Sequence, residues 1–83
     1  MRLEFDREAD ALYVYLRDLP YAFGVDLDSE RHIDYAADHQ PIGIELLNVS
    51  HGVNLRDLPD AAAIADLLTT NGIGVLATSA LAG

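Results

Sequence analysis

The chain has 83 residues, no cysteine, and fourteen acidic side chains against five arginines and no lysine, for a formal net charge of −9 at pH 7. That balance argues against nucleic acid and anionic membrane surfaces as partners, since both are bound largely by neutralising phosphate. The missing cysteines exclude disulfides, thiolate metal sites and a cysteine nucleophile.

A chain this short is one domain, spanning residues 1–83. Its small core barely offsets the cost of ordering the chain, so we expect self-association as a homodimer. The charge attracts a basic protein partner or a cation, and it also keeps a small domain in solution. The N-terminal Met1-Arg2-Leu3-Glu4-Phe5-Asp6 lacks the apolar stretch of a signal peptide. Residues 67–83 carry no charge, but Asn71, Gly72, Gly74 and the hydroxyls of Thr69, Thr70, Thr78 and Ser79 interrupt them. The run also falls short of the ~20 apolar residues of a membrane span. We expect a soluble, cytoplasmic protein.

Residues 2–5 read as a short strand with Leu3 and Phe5 on one face. Asp6-Arg7-Glu8-Ala9-Asp10 is a turn in which both aspartates can accept nearby backbone amides. Residues 11–17 return as a second strand, Leu12, Val14 and Leu16 inward and Tyr13, Tyr15 and Arg17 outward; the Tyr-Val-Tyr alternation outweighs the helix propensity just before it. Pro20 marks a connection. A third strand follows over residues 21–27, a turn at Asp28-Ser29-Glu30-Arg31, and a fourth strand over residues 32–35. The fifth, Pro41-Ile42-Gly43-Ile44-Glu45-Leu46-Leu47-Asn48-Val49-Ser50, is the most apolar, with Ile42, Ile44 and Leu46 on one face.

Beyond residue 50, Asp57 is placed to cap a helix with Leu58, Pro59 and Asp60 in its first turn. Leu58, Ala61, Ile64, Ala65, Leu67 and Leu68 form an apolar stripe at helical spacing, and Asn71-Gly72 is a left-handed stop. Residues 73–83 form a tail, an extra strand or an arm on a neighbouring chain. The fold class expected is α+β: a five-stranded, mainly antiparallel meander sheet (residues 1–50) with one C-terminal helix (residues 57–71) packed on one face.

Phe5-Asp6-x-x-x-Asp10-Ala11-Leu12-Tyr13-Val14, then Ile33-Asp34-Tyr35 and the run from Ile42 to Ser50, resemble the small prokaryotic domain-of-unknown-function family 2283 over roughly residues 1–50. Family members usually carry a glycine in the turn before the last strand, and residues 36–41 have none, so that turn is expected to differ. The resemblance implies a small sheet-based domain with no established activity. The placement of some members beside small toxin-like proteins implies an antitoxin-like role.

Asp26-Leu27-Asp28-Ser29-Glu30 sets carboxylates at alternate positions, but Arg31 and Ala37 stand where a calcium-binding loop needs glycine and glutamate. Asp26, Asp28, Glu30 and His32 therefore remain weak candidates for a looser cation or ligand site. His32 and Asp34 share an outer face, whereas His39 and His51 flank the last strand at opposite ends. Ser50-His51 lacks a third group to make it a nucleophile and base, and Gly72-Ile73-Gly74 follows a helix, unlike a phosphate loop. No enzyme and no cofactor are expected. The leading expectation is an acidic protein-interaction module whose uncovered sheet face carries Tyr13, Tyr15, Glu45, Leu47 and Val49; the alternative is a small ligand- or divalent-cation-binding domain.

Overall fold

A computed structural model describes residues 1–76 of the chain. Its sheet has five strands: β1 (Arg2–Asp6), β2 (Ala11–Tyr15), β3 (Phe23–Asp26), β4 (Arg31–Tyr35) and β5 (Pro41–Leu47). They lie in the order β1-β2-β5-β4-β3, each antiparallel to its neighbours, and a helix α1 (Ala61–Thr70) follows. The α+β class, with an antiparallel sheet and one C-terminal helix, is thus as expected, but the strands do not form a meander: β5 inserts between β2 and β4, which leaves β3 at the far edge. β5 suits the central place: it has the longest run, and its proline stands first, where the missing amide breaks no ladder bond.

Leu12 and Val14 of β2, Ile33 of β4, and Ile44 and Leu46 of β5 point from one face into the core. Ile64 and Leu68 of α1 meet them there, both fully buried, along with Val53, Leu55 and Leu58 from the connection before the helix. Phe5 lies 40% exposed on the edge strand β1, whereas Leu3, expected on the same face, packs against the core.

Several boundaries differ from the sequence expectation, β3 among them at Phe23–Asp26 instead of residues 21–27, and three of them have a local reason. β2 stops at Tyr15 because the amides of Leu16 and Arg17 both turn to the Ile42 carbonyl, at 2.9 and 3.3 Å. β5 stops at Leu47 because Asn48 is left-handed (φ 54°), and a short 3-10 turn, Val49–His51, follows. The helix begins at Ala61, not beside Asp57: Asp57 and Asp60 are both left-handed (φ 64° and 54°), so Leu58 and Pro59 precede the helix. Asp60 gives no side-chain cap, and its carboxylate instead faces Arg17 at 3.9 Å.

The helix stop is as read. Gly72 is left-handed (φ 74°), its amide reaches Thr69 O, and the Ile73 amide reaches Leu68 O at 2.9 Å, a Schellman pair. The chain then returns along Val53, whose amide donates to Gly74 O and whose carbonyl accepts from Leu76, both at 2.9 Å. Residues 77–83, part of the expected tail or arm, lie outside the described residues.

Two long-range joints hold the layers together. Asp6 caps its own turn by accepting the Glu8 and Ala9 amides, but Asp10, left-handed at φ 53°, reaches across the fold. Its carboxylate accepts the Ser50 amide at 3.0 Å and the Ser50 hydroxyl at 2.6 Å, and its carbonyl accepts Val49 N. Arg31, nearly buried, binds Asp28 through Nε at 2.9 Å and donates through Nη1 to the carbonyls of Asn54 and Arg56. It ties the segment before the helix to the β3–β4 hairpin.

Candidate functional site

Among the described residues no helix lies over the second face of the sheet, and its side chains follow from the strand register. Glu4, Tyr13, Glu45, His32 and Asp26 run in one row from β1 to β3, each paired with the next. Beside it runs a second row of Arg2, Tyr15, Gly43, Asp34 and Gly24. The two glycines matter because the neighbouring row leans over them. A Cβ on Gly43 would collide with the Tyr13 hydroxyl and ring, and one on Gly24 would collide with the His32 ring.

Lying over Gly43, Tyr13 donates its hydroxyl to Asp34 Oδ2 at 2.6 Å. His32 crosses Gly24 so that Nε2 faces Asp34 Oδ1 at 2.9 Å, while Nδ1 faces Asp26 Oδ1 at 2.7 Å. Tyr15 leans the other way, donating to Glu4 Oε1 at 2.5 Å under the Arg2 guanidinium, which sits 3.8 Å from its ring centre. The two tyrosine rings meet edge to face at 4.7 Å. Glu45 stands exposed between Tyr13 and His32, and among the described residues it makes no ion pair.

The titrations follow from these contacts. Burial, together with the bond to the Asp34 carboxylate, pushes the Tyr13 phenol well above its ordinary value. The hydrogen bond to Glu4 raises Tyr15. The Asp26 hydrogen bond raises His32 against an opposing effect of burial, with Asp34 adding to the rise. Both tyrosines therefore stay neutral donors, and each ring nitrogen of His32 faces a carboxylate.

Of the residues expected on the open face, Tyr13, Tyr15, Glu45 and Leu47 are on it, with Leu47 41% exposed. Val49 is not. The left-handed turn at Asn48 rotates it out of the strand and into the core, where it is 3% exposed. The looser cation candidates do not converge: Asp28 is held by Arg31, Glu30 accepts from Asn48 Nδ2 at 2.6 Å, and Asp26 faces His32. Among the described residues no group of three or more His, Asp or Glu side chains is placed to hold a metal ion. Ser50 spends its hydroxyl on Asp10. Sequence reasoning placed His32 and Asp34 on one face but missed Asp34 as the hub; glycines at 24 and 43 inside strands were the available signal.

No helix among the described residues is long and apolar enough to cross a membrane. No curated protein and no solved structure matches the chain. Residues 2–50, which build the whole sheet and the Asp10–Ser50 joint, match the family described as "Protein of unknown function (DUF2283)", and with more than half of its length covered the chain belongs to that family.

Proposed function

We propose that the open sheet face is a docking surface for a cationic polypeptide, and that the protein is a non-catalytic interaction module. The observation that carries this reading is exposed Glu45, flanked by Tyr13 and His32 in register and bordered by Leu47. Tyrosines already locked by hydrogen bonds supply contact area without the entropy loss of ordering free side chains. Glu4, Asp26, Asp34 and Glu45 outnumber Arg2 and His32 there, so the field of the face favours positive charge.

The same excess disfavours a second copy of this chain at this face, because like carboxylates would be brought together. The self-association expected from the small core is left to other surfaces. Neutralising a small basic toxin, as an antitoxin does, is one form of the proposed role, and a cytoplasmic setting suits a chain without cysteine. The cation- or ligand-binding alternative has less support. The groove lined by Met1, Arg2, Tyr15, Leu16, Arg17 and Asp18 is wide open, unlike the enclosed apolar sites that hold small molecules.

The test is a quantitative affinity purification from the native cell with wild type and Glu45→Lys as parallel baits. The reading expects a basic polypeptide retained by wild type, released by salt and depleted on the variant. Recovery of the same proteins on both baits contradicts it.

A further inference from the structure

We infer that His32 is a proton-controlled latch between β3 and β4, and that its deprotonation removes a positive charge from the open face and frees the Asp26 carboxylate. The geometry is a ring held between two acceptors: Asp26 Oδ1 at 2.7 Å from Nδ1 and Asp34 Oδ1 at 2.9 Å from Nε2. Ionised carboxylates can only accept, so both contacts are hydrogen bonds only when both nitrogens carry protons. A neutral imidazole has one N–H, which leaves a lone pair facing an oxygen. The position of the ring is not incidental. Gly24, opposite Asp34 on β3, leaves the space in which it lies.

When the proton leaves, the two carboxylates are not equivalent. Asp34 also accepts from Tyr13, and its side chain is 19% exposed; Asp26 is 79% exposed and, among the described residues, has only His32 as partner. The neutral ring therefore keeps its Nε2 proton on Asp34 and turns a bare Nδ1 toward Asp26, which swings into solvent. The groups that face the ring are Asp26 from β3, Asp34 from β4, Glu45 from β5 and Tyr13 through Asp34 from β2. Asp26 and Asp34 favour the imidazolium, so the latch is shut at mildly acid pH and opens as pH rises. Resting on the docking role proposed above, this makes binding of a cationic polypeptide tighten as pH rises through the His32 titration.

The free, full-length chain provides the test, by NMR titration of the His32 ring carbons and nitrogens. The expected midpoint lies above the ~6.5 of an unperturbed histidine, with both nitrogens protonated below it and the Nε2–H tautomer above it. Asp26→Asn should lower the midpoint. A wild-type midpoint at or below that of an unperturbed histidine, or an Nδ1–H tautomer at high pH, overturns the latch without any variant needing to fold. A midpoint unmoved by Asp26→Asn also overturns it. Because the titration is a property of the unbound protein, a raised midpoint in a chain that binds no cationic polypeptide supports the latch and contradicts the docking role alone.

Discussion

The Tyr13 hydroxyl occupies the space that a Cβ on Gly43 of the neighbouring strand would fill. The pairing explains why a glycine sits in the middle of the central strand, where it otherwise weakens a sheet. Gly43→Ala should push the ring off β5, break its bond to Asp34 and cost roughly 1–3 kcal/mol, the usual range for overpacking. In a Tyr13→Ala background the same substitution should cost much less, since the clash is gone. Denaturant unfolding of the four proteins in that cycle measures the coupling.

Asp10 and Ser50 are the second such pair. Asp10→Ala removes two acceptors and puts a Cβ-bearing residue without a local polar side chain at a left-handed position, so a loss of about 1–2 kcal/mol is expected. Ser50→Ala removes only the hydroxyl bond and should cost less. The double variant should fall short of the sum. Additive losses in urea unfolding would show that the two side chains do not act together.

Arg31→Met retains the side chain's length but leaves the Asn54 and Arg56 carbonyls without their donor. A loss of roughly 1.5–3 kcal/mol is expected for bonds to a charged group. Hydrogen exchange should localise the loss. The amides of Val53 and Leu58 should exchange faster, because their partners Gly74 and Leu55 belong to the layer that Arg31 anchors, while those inside β2 and β5 change least.

Stability should depend on pH from both sides. The Arg31 hydrogen bond holds the Asp28 carboxyl below its ordinary value, and the Gln40 side-chain amide does the same for Asp38. Their contributions are present above the unfolded value of about 3.9 and fade as pH falls through the folded values. His32 is raised, so its contribution is complete below about 6.5 and fades as pH rises through its folded value. Urea midpoints across the acid and neutral range should show both limbs. Asp28→Asn should flatten the acid one, and His32→Gln the neutral one.

Strand periodicity made most of the fold legible, since apolar alternation in β2 and β5 and the helical stripe at Ile64 and Leu68 assign the core faces directly. What it did not reveal lies at left-handed residues other than glycine. Asn48 ends β5 three residues early and buries Val49, Asp60 delays the helix, and His39 (φ 70°) takes the turn position before β5 in a loop without glycine. Nothing in alternation marks such residues, because asparagine, aspartate and histidine also occur in ordinary turns. The site was half legible for a related reason. Register decides which residues share a face, so Tyr13, Tyr15 and Glu45 were found. Side chains that lean diagonally, such as Tyr13 to Asp34, depend on space that only the paired strands define.

Site-directed photo-crosslinking tests the docking surface most directly. A photoreactive amino acid at Leu47, on the open face, is compared in the native cell with one at Asp66, exposed on α1 across the core. The account predicts a covalent adduct with a basic polypeptide from position 47, weakened by Glu45→Lys, and none from position 66. Adducts formed equally at both positions, or only on the helix, would contradict it.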